Sequence, residues 1–192
     1  MDKVARFLAD YVIRHDTVKE EERGIYEYGF LIALEILLCM ITCFVISMIM
    51  GAFWEGILFF LVFIPLRSYA GGLHLDSYWS CYSLSCLTFV IILIGAKYCH
   101  IPQYLQLAML FLFEAVIYML YPVENKNRTV DRDENRQFKK KLQQVLILDG
   151  MLAIIFSVLQ WNQYLQIVTM TFAMIVTTMT IGKIKNTKTS EM

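Results

Sequence analysis

The chain has 192 residues, of which 58% are hydrophobic, and its mean hydropathy is +0.54. This composition is too apolar for a soluble domain of this size and indicates a single integral membrane domain over residues 1–192. The five cysteines have no regular spacing, so neither a disulfide framework nor a metal site is predicted. Neither a cofactor nor a nucleic-acid partner is expected.

The predicted architecture is all-α. Residues 1 to 16 carry apolar side chains at helical spacing, including Val4, Phe7 and Tyr11, and polar side chains on the other faces. This pattern predicts an amphipathic helix on the membrane surface, within a cytoplasmic segment that covers residues 1–27. The transmembrane helices are expected within residues 28–182.

Six membrane spans are predicted from apolar runs of about 14 to 21 residues. The second is short because Pro65 is expected to end it. Residues 122–141 are predicted to form a polar loop, and residues 183–192 a polar cytoplasmic tail. The six predicted spans are Phe30–Met50, Phe53–Leu66, Tyr78–Ala96, Tyr104–Tyr121, Leu142–Leu159 and Tyr164–Ile181.

A polar stretch from Arg67 to Cys81, which contains two adjacent glycines, follows the second span and runs into the start of the third. His74 and Cys81 are seven residues apart, which is close to two helical turns, so on a helix they share one face. An imidazole can take the proton of a thiol and supply the thiolate of a cysteine enzyme. Gly71 and Gly72 allow close backbone approach to a ligand and could direct N–H groups at an oxyanion. Either His74 or Cys81 alone is more often a packing residue.

The basic residues are strongly segregated. Of 17 Lys and Arg, five precede residue 30, one is Arg67, seven lie in residues 122–141 and three in the tail. In a six-span protein these 16 share one side and only Lys97 lies on the other. The positive-inside rule therefore predicts that both termini and the His74–Cys81 motif are cytoplasmic. The run 139–141 is interpreted as a topology and lipid-binding signal rather than a docking surface for an acidic peptide.

Three acidic residues fall inside predicted spans: Glu35, Glu114 and Asp149. Each lies roughly 10 Å from the cytoplasmic end of its span, at 1.5 Å per residue. Acids are costly to place in a membrane, so they are candidates for function. We expect them to line a polar cavity near the motif; the alternative is that each pairs with a neighbouring helix.

Three sequence features carry a resemblance to a known family: the motif from Arg67 to Cys81, the Tyr28-Gly29 start of an apolar segment that contains Glu35, and the loop 122–125 before a basic run. By these features the chain resembles the accessory gene regulator B (AgrB) family. Members are membrane cysteine endopeptidases of Gram-positive bacteria that process the precursor of a cyclic autoinducing peptide.

The resemblance implies Cys81 as the nucleophile, His74 as its base, and Arg67, Gly71 and Gly72 as supporting motif positions. It also implies a homodimer in the cell membrane and an AgrD-like propeptide, cleaved at the inner leaflet and cyclised to a thiolactone or lactone. The spacing from Tyr28-Gly29 to Glu35 is longer than the family pattern, so Glu35 stays outside the catalytic set.

Two other classes of function remain open at this stage. A peptide exporter or small transporter without covalent chemistry would use Glu35, Glu114 and Asp149 as its working groups. A structural membrane protein would need neither the acids nor the motif. Replacing Cys81 by serine separates the peptidase from both, because only the peptidase needs the thiol.

Overall fold

The computed structural model describes residues 2–14, 23–72, 78–121 and 132–190. Over these ranges the chain forms seven α-helices and no strand, which confirms the all-α prediction. The helices are α1 (Asp2–Arg14), α2 (Arg23–Ile49), α3 (Phe53–Ala70), α4 (Tyr78–Tyr98), α5 (Gln103–Leu120), α6 (Arg132–Val158) and α7 (Asn162–Ser190).

Helices α2 to α7 are each long and apolar enough to cross a membrane. A span needs about 20 apolar residues because the hydrocarbon core is about 30 Å thick. The six predicted spans are therefore confirmed, and the chain is a polytopic membrane protein with α1 preceding the first span.

Helix α7 lies at the centre of the bundle and packs against α3, α4, α5 and α6. Its inward side chains, such as Leu165, Phe172 and Met179, are fully buried. Helix α2 lies at the periphery, where it packs against α1, α3 and α4. Only 6% of its apolar window is buried within the chain, so most of its apolar surface is left for lipid or another membrane helix.

Helix α3 is longer than predicted, because it continues through Pro65 to Ala70. The predicted end at Leu66 was wrong. A proline removes one backbone donor, and in a membrane helix neighbouring groups can compensate for that loss. Leu66 and Ala70 beyond it are fully buried, so continuing the helix adds packing. The helix ends at Ala70, and the next residue, Gly71, leaves the helical region with a φ of 77°.

Three helices extend past their apolar segments. Helix α2 begins at Arg23, seven residues before the predicted span, and α6 begins at Arg132, inside the predicted loop. Helix α7 continues to Ser190, through most of the predicted tail. Polar residues such as Lys, Arg, Gln and Glu are good helix formers, so the helical backbone does not stop where the hydrophobicity stops.

Helix α1 is held against the start of α2 by two ion pairs. Arg6 Nε lies 2.7 Å from Glu27 Oε1, and Arg23 Nη2 lies 2.6 Å from Asp10 Oδ1. Ala5 and Ala9 are fully buried on the α1 face that meets α2. The predicted amphipathic helix is thus present as a helix; its position on the membrane surface stays a prediction.

A close approach between α2 and α3 depends on Gly56. An ideal Cβ at Gly56 would lie 2.8 Å from Ser47 Cβ and 2.9 Å from Ser47 Oγ, closer than real Cβ contacts. We expect Gly56→Leu to lower the free energy of unfolding by about 1–3 kcal/mol, as other overpacked sites do. The measurement is thermal unfolding of purified protein in detergent. Gly29→Leu is the matched control, because no atom lies within 4 Å of its Cβ position; equal stability of the two variants would contradict this packing.

Candidate functional site

The motif begins at the C-terminal end of α3, where Arg67 and Gly71 bond to each other twice. Gly71 N–H donates to the Arg67 carbonyl at 3.3 Å, and Arg67 Nη1 donates to the Gly71 carbonyl at 2.7 Å. The second bond satisfies a carbonyl just past the last turn of the helix. A basic side chain at the end of a helix is also favoured by the helix dipole. The two bonds together fix the direction in which the chain leaves α3.

Gly72 is required beside this arginine for two separate reasons. Its φ is 135°, a conformation that residues with side chains rarely adopt. An ideal Cβ at Gly72 would also lie only 1.8 Å from Arg67 Nη1. The absence of a side chain at position 72 is what leaves room for the guanidinium.

Residues of helices α6 and α7 pack against the α3 end of the motif. The Tyr69 ring lies 6.0 Å from the Phe138 ring of α6, and Lys141 Nζ lies 5.7 Å from the centre of the Tyr69 ring. The hydroxyl oxygen of Thr178 on α7 is 3.4 Å from the Cβ position of Gly72. The basic run at 139–141 is therefore helical and reaches the motif through Lys141.

Cys81 lies in the first turn of α4 and is partly exposed. The Arg67 guanidinium is close enough for electrostatic interaction with the Cys81 sulfur. The structure thus joins Arg67, Gly71 and Gly72 directly and places Cys81 within electrostatic range of the guanidinium. His74 lies outside the described residues, so its pairing with Cys81 stays a prediction.

Glu114 and Asp149 lie close together between α5 and α6. Glu114 Oε1 is 3.0 Å from the Cβ position of Gly150, the neighbour of Asp149, and the two carboxyl groups are within electrostatic range. Asp149 is 4% exposed. Within the described part of the chain, Glu114 Oε1 and Asp149 Oδ2 have no hydrogen-bond partner.

Glu35, the third predicted acid, lies on α2, whose main contacts are with α1, α3 and α4. The structure therefore brings together two of the three acids and places the third on a helix at the other side of the bundle. A cavity shared by all three with the motif stays a prediction.

Sequence reasoning missed the contribution of residues distant from the motif. Tyr69, Phe138, Lys141 and Thr178 reach it only through the packing of α3, α6 and α7. One signal was available: Phe138, Leu142 and Val145 continue the helical apolar spacing backwards from the fifth span. Following that spacing would have placed residues 132–141 on a helix.

Six membrane-spanning helices, two adjacent glycines and a cysteine within electrostatic range of a partly buried arginine define the class of this chain: a polytopic α-helical membrane protein with a thiol-containing motif at one end of its bundle. The chain belongs to the accessory gene regulator B family, whose model matches residues 5–181. Membership indicates a role in the accessory gene regulator system of peptide quorum sensing.

A curated relative from Clostridium perfringens (strain SM101 / Type A), described as AgrB-like, is 19% identical over 170 residues. The match covers 84% of this chain and 79% of the relative. No solved structure matches the chain.

Proposed function

We propose that this protein is a membrane cysteine endopeptidase that cleaves a quorum-sensing propeptide through an acyl-enzyme on Cys81. The observation that carries the proposal is the position of the Arg67 guanidinium, which is held by the Gly71 carbonyl and by the space at Gly72 and lies within electrostatic range of Cys81. Family membership supports the same reading.

The chemistry proposed for cleavage begins with proton transfer from the Cys81 thiol to the His74 imidazole. The thiolate attacks the scissile carbonyl carbon, and negative charge moves to the carbonyl oxygen. Arg67 and backbone N–H groups near Gly71 and Gly72 stabilise that oxygen, apart from the Gly71 N–H, which donates to the Arg67 carbonyl. The C–N bond then breaks, the leaving amine takes the proton from His74, and the N-terminal part of the substrate remains on Cys81 as a thioester.

The second step follows from the thioester. A thiol or hydroxyl within the bound peptide attacks the thioester carbonyl, closes a thiolactone or lactone ring and releases the Cys81 thiol. The thioester retains an activated acyl group, whereas direct hydrolysis would lose it. A cysteine nucleophile is therefore suited to cleavage coupled to cyclisation.

The substrate is proposed to reach the site from the cytoplasmic side, at the inner leaflet. The segregation of 16 of 17 basic residues to one side supports cytoplasmic termini and a cytoplasmic motif. Lys139, Lys140 and Lys141 all lie on α6: Lys141 lies over the Tyr69 ring, and Lys139 lies over the Tyr118 ring of α5. This position favours lipid headgroups and acidic substrate segments near Cys81. A homodimer remains part of the proposal, for which the exposed apolar face of α2 leaves room.

A peptide exporter without covalent chemistry is the second candidate. It is favoured by the carboxyl pair of Glu114 and Asp149, two acids placed together inside the bundle, since intramembrane acids often mark transport pathways. Exporter and peptidase differ in whether they need Cys81.

The peptidase is tested by trapping its acyl-enzyme. Purified full-length protein is mixed with a precursor peptide whose internal Cys or Ser has been replaced by Ala, so that cyclisation is blocked. We expect mass spectrometry to show the N-terminal fragment attached to Cys81, and hydroxylamine to remove it as it removes a thioester. The His74→Ala variant should form the adduct at least about a hundredfold more slowly, the usual contribution of a general base.

The Cys99→Ala variant is the control for this experiment, because Cys99 is exposed and follows the opposite end of α4. It should form the adduct at the normal rate. Cleavage of the precursor with the adduct on a residue other than Cys81 would overturn the proposed mechanism.

A further inference from the structure

Three cysteines outside the motif converge between α2 and α4. Cys39 and Cys43 are four residues apart, one turn along the same face of α2, and Cys86 faces them from α4. Their three sulfur atoms all lie within 4.8 Å of one another. None of the three is in a disulfide. We call this group the thiol cluster.

The thiol cluster is sheltered from solvent and consists of sulfur donors. Cys43 is 2% exposed, and Cys39 and Cys86 are half-buried. In the described part of the chain no histidine or carboxylate joins the three sulfurs. The Tyr82 hydroxyl interacts with Cys86 and donates a hydrogen bond to Thr42 Oγ1 at 2.9 Å.

We propose that the thiol cluster binds a single cuprous ion, Cu(I), in three-coordinate sulfur geometry. Soft cations such as Cu(I) prefer thiolate ligands, whereas Mg²⁺ and Ca²⁺ require oxygen. Structural zinc sites have four protein ligands, one more than the cluster offers. A metal–sulfur distance of about 2.3 Å places the three sulfurs of a trigonal site roughly 4 Å apart. The observed separations need only a small contraction, which rotation of the cysteine side chains can provide.

Charge in the membrane interior also favours a monovalent ion. The cluster lies in the spans of α2 and α4, where a net charge is costly. A Cu(I) ion that displaces one thiol proton leaves the site with no net charge, and the displaced proton leaves to solvent. A divalent ion must displace two thiol protons to reach the same neutral state, and ionising two buried thiols costs more than ionising one. The site is therefore expected to prefer Cu(I) over Zn²⁺.

The bound ion would add a metal link between α2 and α4, which are also joined by the hydrogen bond from Tyr82 to Thr42. Cys86 lies five residues after Cys81 on α4, about 7.5 Å along the helix axis. Occupancy would tie α4, and with it the end of the motif at Cys81, to α2. The proposed Cu(I) site is argued from the geometry of the thiol cluster and does not depend on the proposed peptidase activity.

Titration with Cu(I) tests the proposal directly. Purified, fully reduced, full-length protein in lipid nanodiscs is titrated with Cu(I) against a chromophoric Cu(I) chelator, with oxygen excluded. We expect one ion per chain, and X-ray absorption should show three sulfur ligands at about 2.3 Å. Cys39→Ser, Cys43→Ser and Cys86→Ser should each lower the affinity at least about tenfold, because a direct ligand is worth no less than the groups that orient it.

The remaining two cysteines provide matched controls. Cys81→Ser and Cys99→Ser remove a thiol from the same helix or its end and should keep full affinity and the three-sulfur spectrum. Helical content of every variant is measured by circular dichroism, and Cys43→Ala, which avoids a buried hydroxyl, is used as a second variant at the buried position. Unchanged affinity in folded Cys43→Ser or Cys43→Ala, equal affinity for Zn²⁺ and Cu(I), or loss of binding in Cys81→Ser would each overturn the proposal.

Discussion

Replacing Cys81 by alanine is expected to abolish cleavage of the precursor peptide, with a fall in rate of more than about a thousandfold. The reason is that no acyl-enzyme can form without the sulfur, and the remaining groups only bind and polarise the carbonyl. Cleavage by purified protein in nanodiscs is followed by mass spectrometry of the released C-terminal fragment. Because Cys81 is partly exposed in the first turn of α4, the substitution removes little buried surface and should leave the fold intact.

Cys99→Ala is the matched control for this loss of activity. Cys99 is exposed and lies 18 residues further along the chain, about 27 Å away if measured along a helix axis. The Cys99→Ala variant should cleave the precursor at the normal rate. Cleavage by Cys81→Ala at the normal rate would exclude Cys81 as the nucleophile. Normal secretion of peptide by cells carrying only Cys81→Ala would favour the exporter instead.

The second large effect is expected at Arg67, whose guanidinium is within electrostatic range of the Cys81 thiol. Arg67→Gln should lower the cleavage rate by about a hundredfold or more, comparable to the loss of one donor from an oxyanion site. Glutamine keeps a donor but cannot supply the charge that interacts with Cys81. Arg67→Lys should recover part of the rate, because it restores the charge without the guanidinium fork that reaches the Gly71 carbonyl.

A double-mutant cycle can measure how far the contribution of Arg67 to activity depends on the absence of a side chain at Gly72. Gly72→Ala alone should reduce activity, because its Cβ would displace Arg67 Nη1 and its φ of 135° disfavours alanine. In an Arg67→Ala background the displacement no longer exists, so Gly72→Ala should cost less there, and the difference measures the coupling. Gly29→Ala, with no atom near its Cβ position, should be neutral. Independent, additive effects of the two substitutions would show that Gly72 does not act through Arg67.

Much of this protein could be predicted from local patterns. The six spans follow from apolar runs, because backbone groups in lipid must be satisfied within a helix. The candidate site follows from the types and spacing of Arg67, Gly71, Gly72, His74 and Cys81. Helix ends were less predictable. Pro65 was expected to end α3, but burial of Leu66 and Ala70 outweighs the missing N–H.

Contacts between distant segments could not be predicted, because they depend on which helices are neighbours. Nothing local in the sequence pairs Glu114 with Asp149 and leaves Glu35 on another side of the bundle. The same holds for Lys141 over Tyr69, which requires α6 to pack beside α3.

The sequence by itself determined the all-α membrane class and the number of spans and indicated the candidate residues of the motif, since hydrophobicity and residue type act locally. Only the tertiary structure decided which side chains come near each other: Arg67 is within electrostatic range of Cys81 across the interruption, and Cys86 meets Cys39 and Cys43 across two helices. Irregularly spaced cysteines carry no signal in sequence, because the one-turn spacing on α2 becomes a three-sulfur cluster only when α4 packs beside it. Helix packing in a membrane depends on shape complementarity and close contacts between faces, as at Gly56 and Ser47, and those are properties of pairs of helices rather than of any single segment.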